Sequence, residues 1–236
     1  MSTPLDMYAR LEAADALPQF AAVRQRTYDL LRPYGRKVLD LGCGTGRAVA
    51  ELIEAGADAI GLDPDEGALA IARERRPGLD IRHGTADKLP YADGELGGYR
   101  ADRVLHLVPD PSGAVAEARR VLAPGGRIVL SGRDWDTVVI DADDGELTRR
   151  LVQARADTIP HPRIARHFRT LLVDAGFADP QLEVQTAIFS GPEALPMLAQ
   201  YDTGGWLDEQ RRRAAAGRMM IAVPFFLASA SKPTGA

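Results

Sequence analysis

KVLDLGCGTGR, Lys37 to Arg47, is the stretch from which the rest of this 236-residue chain can be read. Val38, Leu39 and Leu41 make a short apolar strand. Gly42, Gly44 and Gly46 follow at two-residue spacing, and Val49, Leu52 and Ile53 open a helical face. A strand that breaks on glycines and restarts as a helix brings backbone N–H groups and the positive end of that helix to one point. Glycine suits such a turn because it accepts positive φ and lets a ligand approach the backbone. Twenty-one residues beyond Gly42, a second strand (AIGLD, Ala59 to Asp63) ends in an acid. An acid there can accept hydrogen bonds from both ribose hydroxyls of a nucleoside. The pattern implies a cradle for an adenosine-like ligand.

Outward from this centre the chain alternates between strands and helices. Strand one (38–41) leads to a helix ending near Gly56, and strand two (59–62) to a helix from about Asp65 to Arg76. Pro77-Gly78 turns into strand three (79–83), and strand four is expected around Tyr99 to Leu105. Asp110-Pro111 opens the next helix with a capping acid and a proline at its first position. RIVLSG (127–132) then gives strand five. Five such alternations imply a parallel sheet covered on both faces. Residues 134–160 read as an acidic, loop-like insertion that turns helical, and a helix over 162–175 stops at Gly176. Leu182, Val184, Thr186 and Ile188 alternate with Glu183, Gln185 and Ala187, as in a half-exposed antiparallel strand. A helical stretch from Ala194 to Gly217 and an apolar strand at 221–230 complete the pattern. Ahead of Lys37, Leu5, Tyr8 and Leu11, then Phe20, Val23, Tyr28 and Leu31, suggest two short helices broken at Pro18.

The totals narrow the class. Apolar content of 45% with 26% charged residues is that of a soluble globular protein. A net charge of −4 argues against nucleic acid as the main partner, and the basic run Arg211 to Arg213 reads as a solvated helix face. Cys43 is the single cysteine, so neither an internal disulfide nor a cysteine-built metal cluster is expected. The longest apolar run, Met219 to Ala230, contains Pro224 and is too short to span a bilayer. A cytoplasmic address, no membrane partner and no metal are the expectations.

Five blocks in order then carry a resemblance: VLDLGCGTG (38–46), GLDPD (61–65), GTADKLPYADG (84–94), RVLHLVPDP (103–111) and RVLAPGGRIVLSG (120–132). With these the chain resembles the class I S-adenosylmethionine-dependent methyltransferases, in particular the small-molecule branch of bacterial natural-product and quinone-type enzymes. The resemblance implies an α/β, Rossmann-like seven-stranded sheet, five parallel strands plus a terminal antiparallel pair, with helices on both faces and a small helical lid. It divides the chain into a lid (1–36) and a methyltransferase domain (37–236) with insertions at about 134–165 and 191–218. The implied cofactor is S-adenosylmethionine, leaving as S-adenosylhomocysteine. Cofactor residues would be Asp40, Gly42, Cys43, Gly44, Gly46, Asp63, Pro64, Ala86, Asp87 and Arg103. Asp40 would order the glycine loop or reach the cofactor's ammonium group through water. Asp63 would take the ribose hydroxyls, and Ala86 and Asp87 the adenine edge. One departure stands out: Leu96-Gly97-Gly98 replaces the Phe-Asp pair with which family members open strand four.

Methyl transfer needs an aligned nucleophile, and a general base only where that nucleophile must lose a proton. His106, just past strand four, is the candidate base, since ligands of open α/β sheets bind at the carboxyl edge. Trp135, Tyr8, Tyr28 and His161 are candidate walls for a small-molecule acceptor, with Phe168 and Trp206 as further aromatic surface. The activity expected is methylation of an oxygen, nitrogen or carbon of a small metabolite by a monomer or homodimer. Two alternatives stay open. One is a protein of the same fold that binds the cofactor without transferring methyl, as a pericyclic catalyst or binding module. The other is a nicotinamide dehydrogenase, disfavoured because Arg47 stands where that fingerprint needs a small residue.

Overall fold

The computed structural model of the chain describes residues 4–201 and 205–235, without the side chains of residues 4–7, 10 and 11. The expected face of Leu5 and Leu11 lies outside the described residues. Five short apolar strands form the centre: β1 (Lys37–Leu41), β2 (Asp58–Asp63), β3 (Ile81–His83), β4 (Leu96–Asp102) and β5 (Leu122–Arg133). They pair in parallel in the order β3-β2-β1-β4-β5. β8 (Ile221–Ser231) runs antiparallel to β5, and β7 (Ala178–Phe189) antiparallel to β8.

The expected count of seven strands becomes eight. Val139 and Ile140 form a two-residue strand, β6, paired with Ala222 and Ile221. β5 leaves Ile221 to Pro224 of β8 without partners on its side, because its own pairing ends at Phe225. Two β-branched residues returning from the turn at Trp135–Thr137 complete that row of backbone groups. Part of the stretch read as an inserted loop thus belongs to the sheet.

Side-chain alternation explains the layers. Val38, Ala59 and Val129 point to one face, where they meet Tyr28 and Leu31 of α2 (Pro18–Leu31), Val49 and Leu52 of α3 (Arg47–Glu54) and Leu69 of α4 (Glu66–Arg75). Leu39, Ile60, Tyr99, Ile128 and Leu130 point to the other. They meet Val115 and Ala118 of α5 (Pro111–Val121) and Phe168 and Leu172 of α7 (Phe168–Asp174). Burial on both faces is what lets an all-parallel arrangement exclude water from its backbone. A further cluster ties Phe20 and Val23 to Phe189, Phe225, Leu198 and Trp206, where α6 (Gly145–Ala156), α8 (Leu195–Leu198) and α9 (Trp206–Ala215) cover the antiparallel end.

α1 (Pro4–Asp15) and α2 separate at Pro18 as expected. α2 is bolted to the helical layer. Arg24 grips Glu51 of α3 through two bonds of 2.7 and 2.9 Å, and Tyr28 donates its hydroxyl to the same carboxylate. Gly97 and Gly98 have a packing reason. A Cβ on Gly98 would lie 3.0 Å from Val38 and 3.3 Å from Leu31, and one on Gly97 would lie 3.1 Å from Arg36. Their absence lets α2 close on β4, with a register shift between Leu96 and Gly98. β4 ends at Asp102, three residues earlier than expected, because Arg103 turns to φ 60°.

Candidate functional site

The carboxyl ends of β1 and β2 build the cradle. Gly42 (φ 68°) donates its N–H to the Leu62 carbonyl at 2.7 Å, and a Cβ there would come within 2.3 Å of Val104. Gly44 (φ 54°) differs: a Cβ would meet nothing within 4 Å, so the space over this peptide is free of protein. Gly46 heads α3 without a side-chain cap, leaving the first N–H groups of that helix to a ligand. Cys43 is buried between β1 and β2. Its sulfur occupies the place a Cβ on Gly61 would need, and burial pushes its thiol far above the ordinary range. It is a packing residue.

Asp63 is the oriented acid of the cradle. Its Oδ2 accepts from Gly44 N–H at 2.8 Å and its Oδ1 from Asp65 N–H at 2.9 Å. A carboxylate has about four lone-pair sites, so each oxygen retains one for a diol. The glycine loop and the acid therefore fit the ribose and backbone-facing part of a nucleoside. Pro64 is exposed beside Asp63, Ala86 is buried in the loop after β3, and Asp87 is exposed next to it. The Asp87 carboxyl is held below its usual range by the Thr85 hydroxyl.

Asp40 sits in a buried ion-pair network at the end of β1. Its Oδ1 accepts from Arg100 at 2.5 Å, and Arg100 also donates to Asp102 at 2.9 Å and to the Thr27 hydroxyl at 2.7 Å. Arg100, Asp40 and Asp102 are all nearly inaccessible to water, and Tyr28 lies against the Arg100 guanidinium at 5.4 Å. Burial pushes the Asp102 carboxyl up, but Arg103 and Arg100 outweigh it and hold the group down. Asp102 Oδ1 is buried and untouched by the arginines, with the Ser131 hydroxyl on the neighbouring strand beside the carboxyl. Tyr28, expected on an acceptor wall, packs in this core, with its ring in the α2–α3 cluster and its hydroxyl on Glu51.

α1 crosses over the same edge. Tyr8 donates its hydroxyl to Asp65 Oδ2 at 2.7 Å, while Asp65 caps α4 through Oδ1. Glu12 pairs with Arg75 and Arg76, and Asp15 accepts from Arg103 at 2.7 Å. Arg103 thus faces the covering helix, with its guanidinium 5.7 Å from the Phe20 ring and 3.4 Å from Asp102.

Beyond Arg103, the ends of β4 and β5 hold His106 and Trp135, whose rings lie 5.5 Å apart. The backbone N–H of His161 donates to the His106 carbonyl at 3.1 Å, which brings that predicted residue to the same loop. Burial, with Arg133, Arg103 and Arg155 nearby, pushes the His106 imidazole down to about 4. Trp135 is buried, and the Arg133 guanidinium stacks on its ring at 3.4 Å, with that of Arg155 at 5.0 Å. The flanking acids are used elsewhere: Asp134 pairs with Arg166, and Asp136 with Arg163 and Arg166. Sequence reading missed Asp102 and Arg133. Both are last or near-last residues of parallel strands, the signal by which they could have been found. Among the described residues, no group of three or more His, Cys, Asp or Glu side chains could hold a metal ion.

Residues 39–130, the span from β1 to β5, match a family described as a methyltransferase domain. Over that stretch the chain matches a methyltransferase domain, in keeping with the resemblance carried by its five sequence blocks. A 37.1 kDa protein in transposon TN4556 of Streptomyces fradiae is 37% identical over 78% of this chain and 55% of its own length. A demethylmenaquinone methyltransferase of Renibacterium salmoninarum is 37% identical over 41% of each chain. This chain therefore spans about half the length, or less, of the curated relatives it matches. In fold, the methyltransferase domain and its additions superpose on the YcgJ protein of Bacillus subtilis with a TM-score of 0.66. That match covers 91% of this chain and all of the other at 17% identity. No helix among the described residues is long and apolar enough to cross a membrane.

Proposed function

We propose that this protein transfers a methyl group from S-adenosylmethionine to an oxygen, nitrogen or carbon of a small metabolite. The single observation that carries the reading is Asp63, held by two backbone N–H groups at the rim of a glycine loop whose outer space is empty. When bound, S-adenosylmethionine supplies a sulfonium-activated methyl group. Asp63 holds the ribose hydroxyls, the backbone at Gly42 to Gly46 lies under the ligand, and Ala86 and Asp87 border the adenine. Asp102 Oδ1, which no arginine engages, accepts from the ammonium group. Arg103, locked to Asp15, closes α1 over the edge and keeps water from the reacting atoms. His106 stays neutral near pH 7 and stands ready to accept a proton from the acceptor. Trp135 and His161 line the acceptor side, Tyr8 closes the adenosine side, and a secondary-metabolite acceptor suits this aromatic surface.

Calorimetry with S-adenosylhomocysteine tests the reading directly, with NADH as parallel ligand. Micromolar binding is expected, weakened by roughly 1–3 kcal/mol in Asp63→Ala, as when hydroxyls lose a charged partner. Tighter binding of NADH, or no binding of S-adenosylhomocysteine, would overturn it. Bound cofactor without turnover on any acceptor would favour the non-methylating alternative.

A further inference from the structure

We infer that the methyl acceptor carries an anionic oxyacid group, held by Arg133 and Arg155 against the indole of Trp135. This rests on the reading of the strand-end site as a methyltransferase's. Arg133 is the last residue of β5, and its guanidinium lies on Trp135 without a carboxylate partner among the described residues. Arg155, from the last turn of α6, reaches the other contact with that ring. Its nearest polar partners are the neutral Gln200 and Thr158 side chains. Nearly every other arginine near this edge is neutralised: Arg100 by Asp40 and Asp102, Arg103 by Asp15 and Asp102, Arg163 and Arg166 by Asp134 and Asp136.

The groups that face Arg133 from the surrounding elements are Tyr201, Arg103 and Arg155, none of them an acid. Trp135 adds an indole N–H that is buried with no acceptor. Two guanidinium groups lie on the indole beside His106, and among the described residues no carboxylate pairs with either. Both guanidinium groups are half-buried, and gathering two partly desolvated cations on one ring is unfavourable unless a counter-charge arrives. Guanidinium groups match carboxylate and phosphate oxygens in geometry as well as charge. An anion there would also raise the proton affinity of His106, which the same arginines now depress. A charged acceptor would thereby complete its own base.

The test uses the full chain saturated with S-adenosylhomocysteine and follows Trp135 fluorescence, with Trp135→Phe identifying that signal. Benzoate, inorganic phosphate and neutral benzamide are titrated in turn. Saturable binding of benzoate, phosphate or both is expected, weakened about tenfold or more in Arg133→Gln. Arg155→Gln should weaken it to a lesser degree. Benzoate alone would mark a carboxylate acceptor, and phosphate alone a phosphorylated one. Benzamide binding as well as benzoate, or unchanged anion affinity in both variants, would overturn the proposal. If Arg133→Gln fails to fold by circular dichroism, Arg155→Gln decides. Calorimetry of S-adenosylhomocysteine on wild type and variants separates the two readings. Cofactor bound with no anion response sinks this inference alone. No cofactor bound sinks the methyltransferase reading, and the anion titration still judges the arginines.

Discussion

At His106 three neighbouring arginines and partial burial act on one imidazole. The folded chain protonates it only near pH 4, whereas the unfolded chain does so near the ordinary value of about 6.5. Between those limits the unfolded state binds more protons, so stability falls as pH drops from about 6.5 through about 4. After discounting for partial exposure the loss is roughly 2–3 kcal/mol. Urea unfolding of wild type against His106→Gln between pH 7 and 4.5 should show a flatter acid limb in the variant. At Arg100 the consequence is larger. Removing it as Arg100→Met strands the buried Asp40 carboxylate and leaves Asp102 with Arg103 alone, which should cost about 3–5 kcal/mol. Thermal melting should show a drop on the order of 10 °C. A loss within 2 °C would mean that Asp40 and Asp102 do not depend on it.

Among elements, α1 and α2 share the N-terminal region but not the same contacts. α2 is held by Arg24, Tyr28 and the Leu30 carbonyl, which accepts from Arg127 at 2.7 Å. α1 touches the site mainly through the polar ends of Tyr8, Glu12 and Asp15, with the Tyr8 ring packed in a small cluster with Ala68 and Ile71. Polar rim contacts open more readily than buried apolar ones, so α1 is the element that would move for ligand exchange. Tyr8→Phe should weaken S-adenosylhomocysteine about fivefold, mostly through faster release, with melting temperature unchanged. Stopped-flow displacement would measure it, and a lowered melting temperature with unchanged release would mark α1 as plain packing. The Tyr8 hydroxyl is pushed up to about 12, chiefly by its bond to Asp65, so this latch holds through neutral and moderately alkaline pH.

For the whole molecule, the two surface hollows of about 430 and 230 Å³ lie away from the strand ends. One is at Gly125, Ala178 and Ser231 to Gly235, the other around Arg212 and Arg213. A ligand bound at the strand ends should couple to global stability. S-adenosylhomocysteine at a hundred times its Kd should add about 2.7 kcal/mol to the folded state. That corresponds to an upward shift of roughly 5–10 °C in melting temperature. Asp63→Ala at the same ligand concentration should show little of this shift. An equal shift in the variant would place the ligand elsewhere.

Local pattern alone determined the strand–glycine–helix turn at Lys37 to Arg47, the acid at Asp63, the caps at Asp65 and Asp110, and the break at Pro18. These are short-range matters of φ, capping and periodicity, and the chain carries them wherever it folds. The doubled glycine at 97–98 looked like a weak strand until the structure showed Leu31 and Val38 against it. β6 could not be read from two residues, because its reason is an unpaired row on a strand eighty residues later. Asp40 matched the family position yet was claimed by Arg100 from the neighbouring strand, a contact that spans sixty residues. The same holds for Arg133 and Arg155, unremarkable as sequence. Only the packing of α6 against the turn at Trp135–Thr137 brings both cations to one indole, with no carboxylate partner among the described residues.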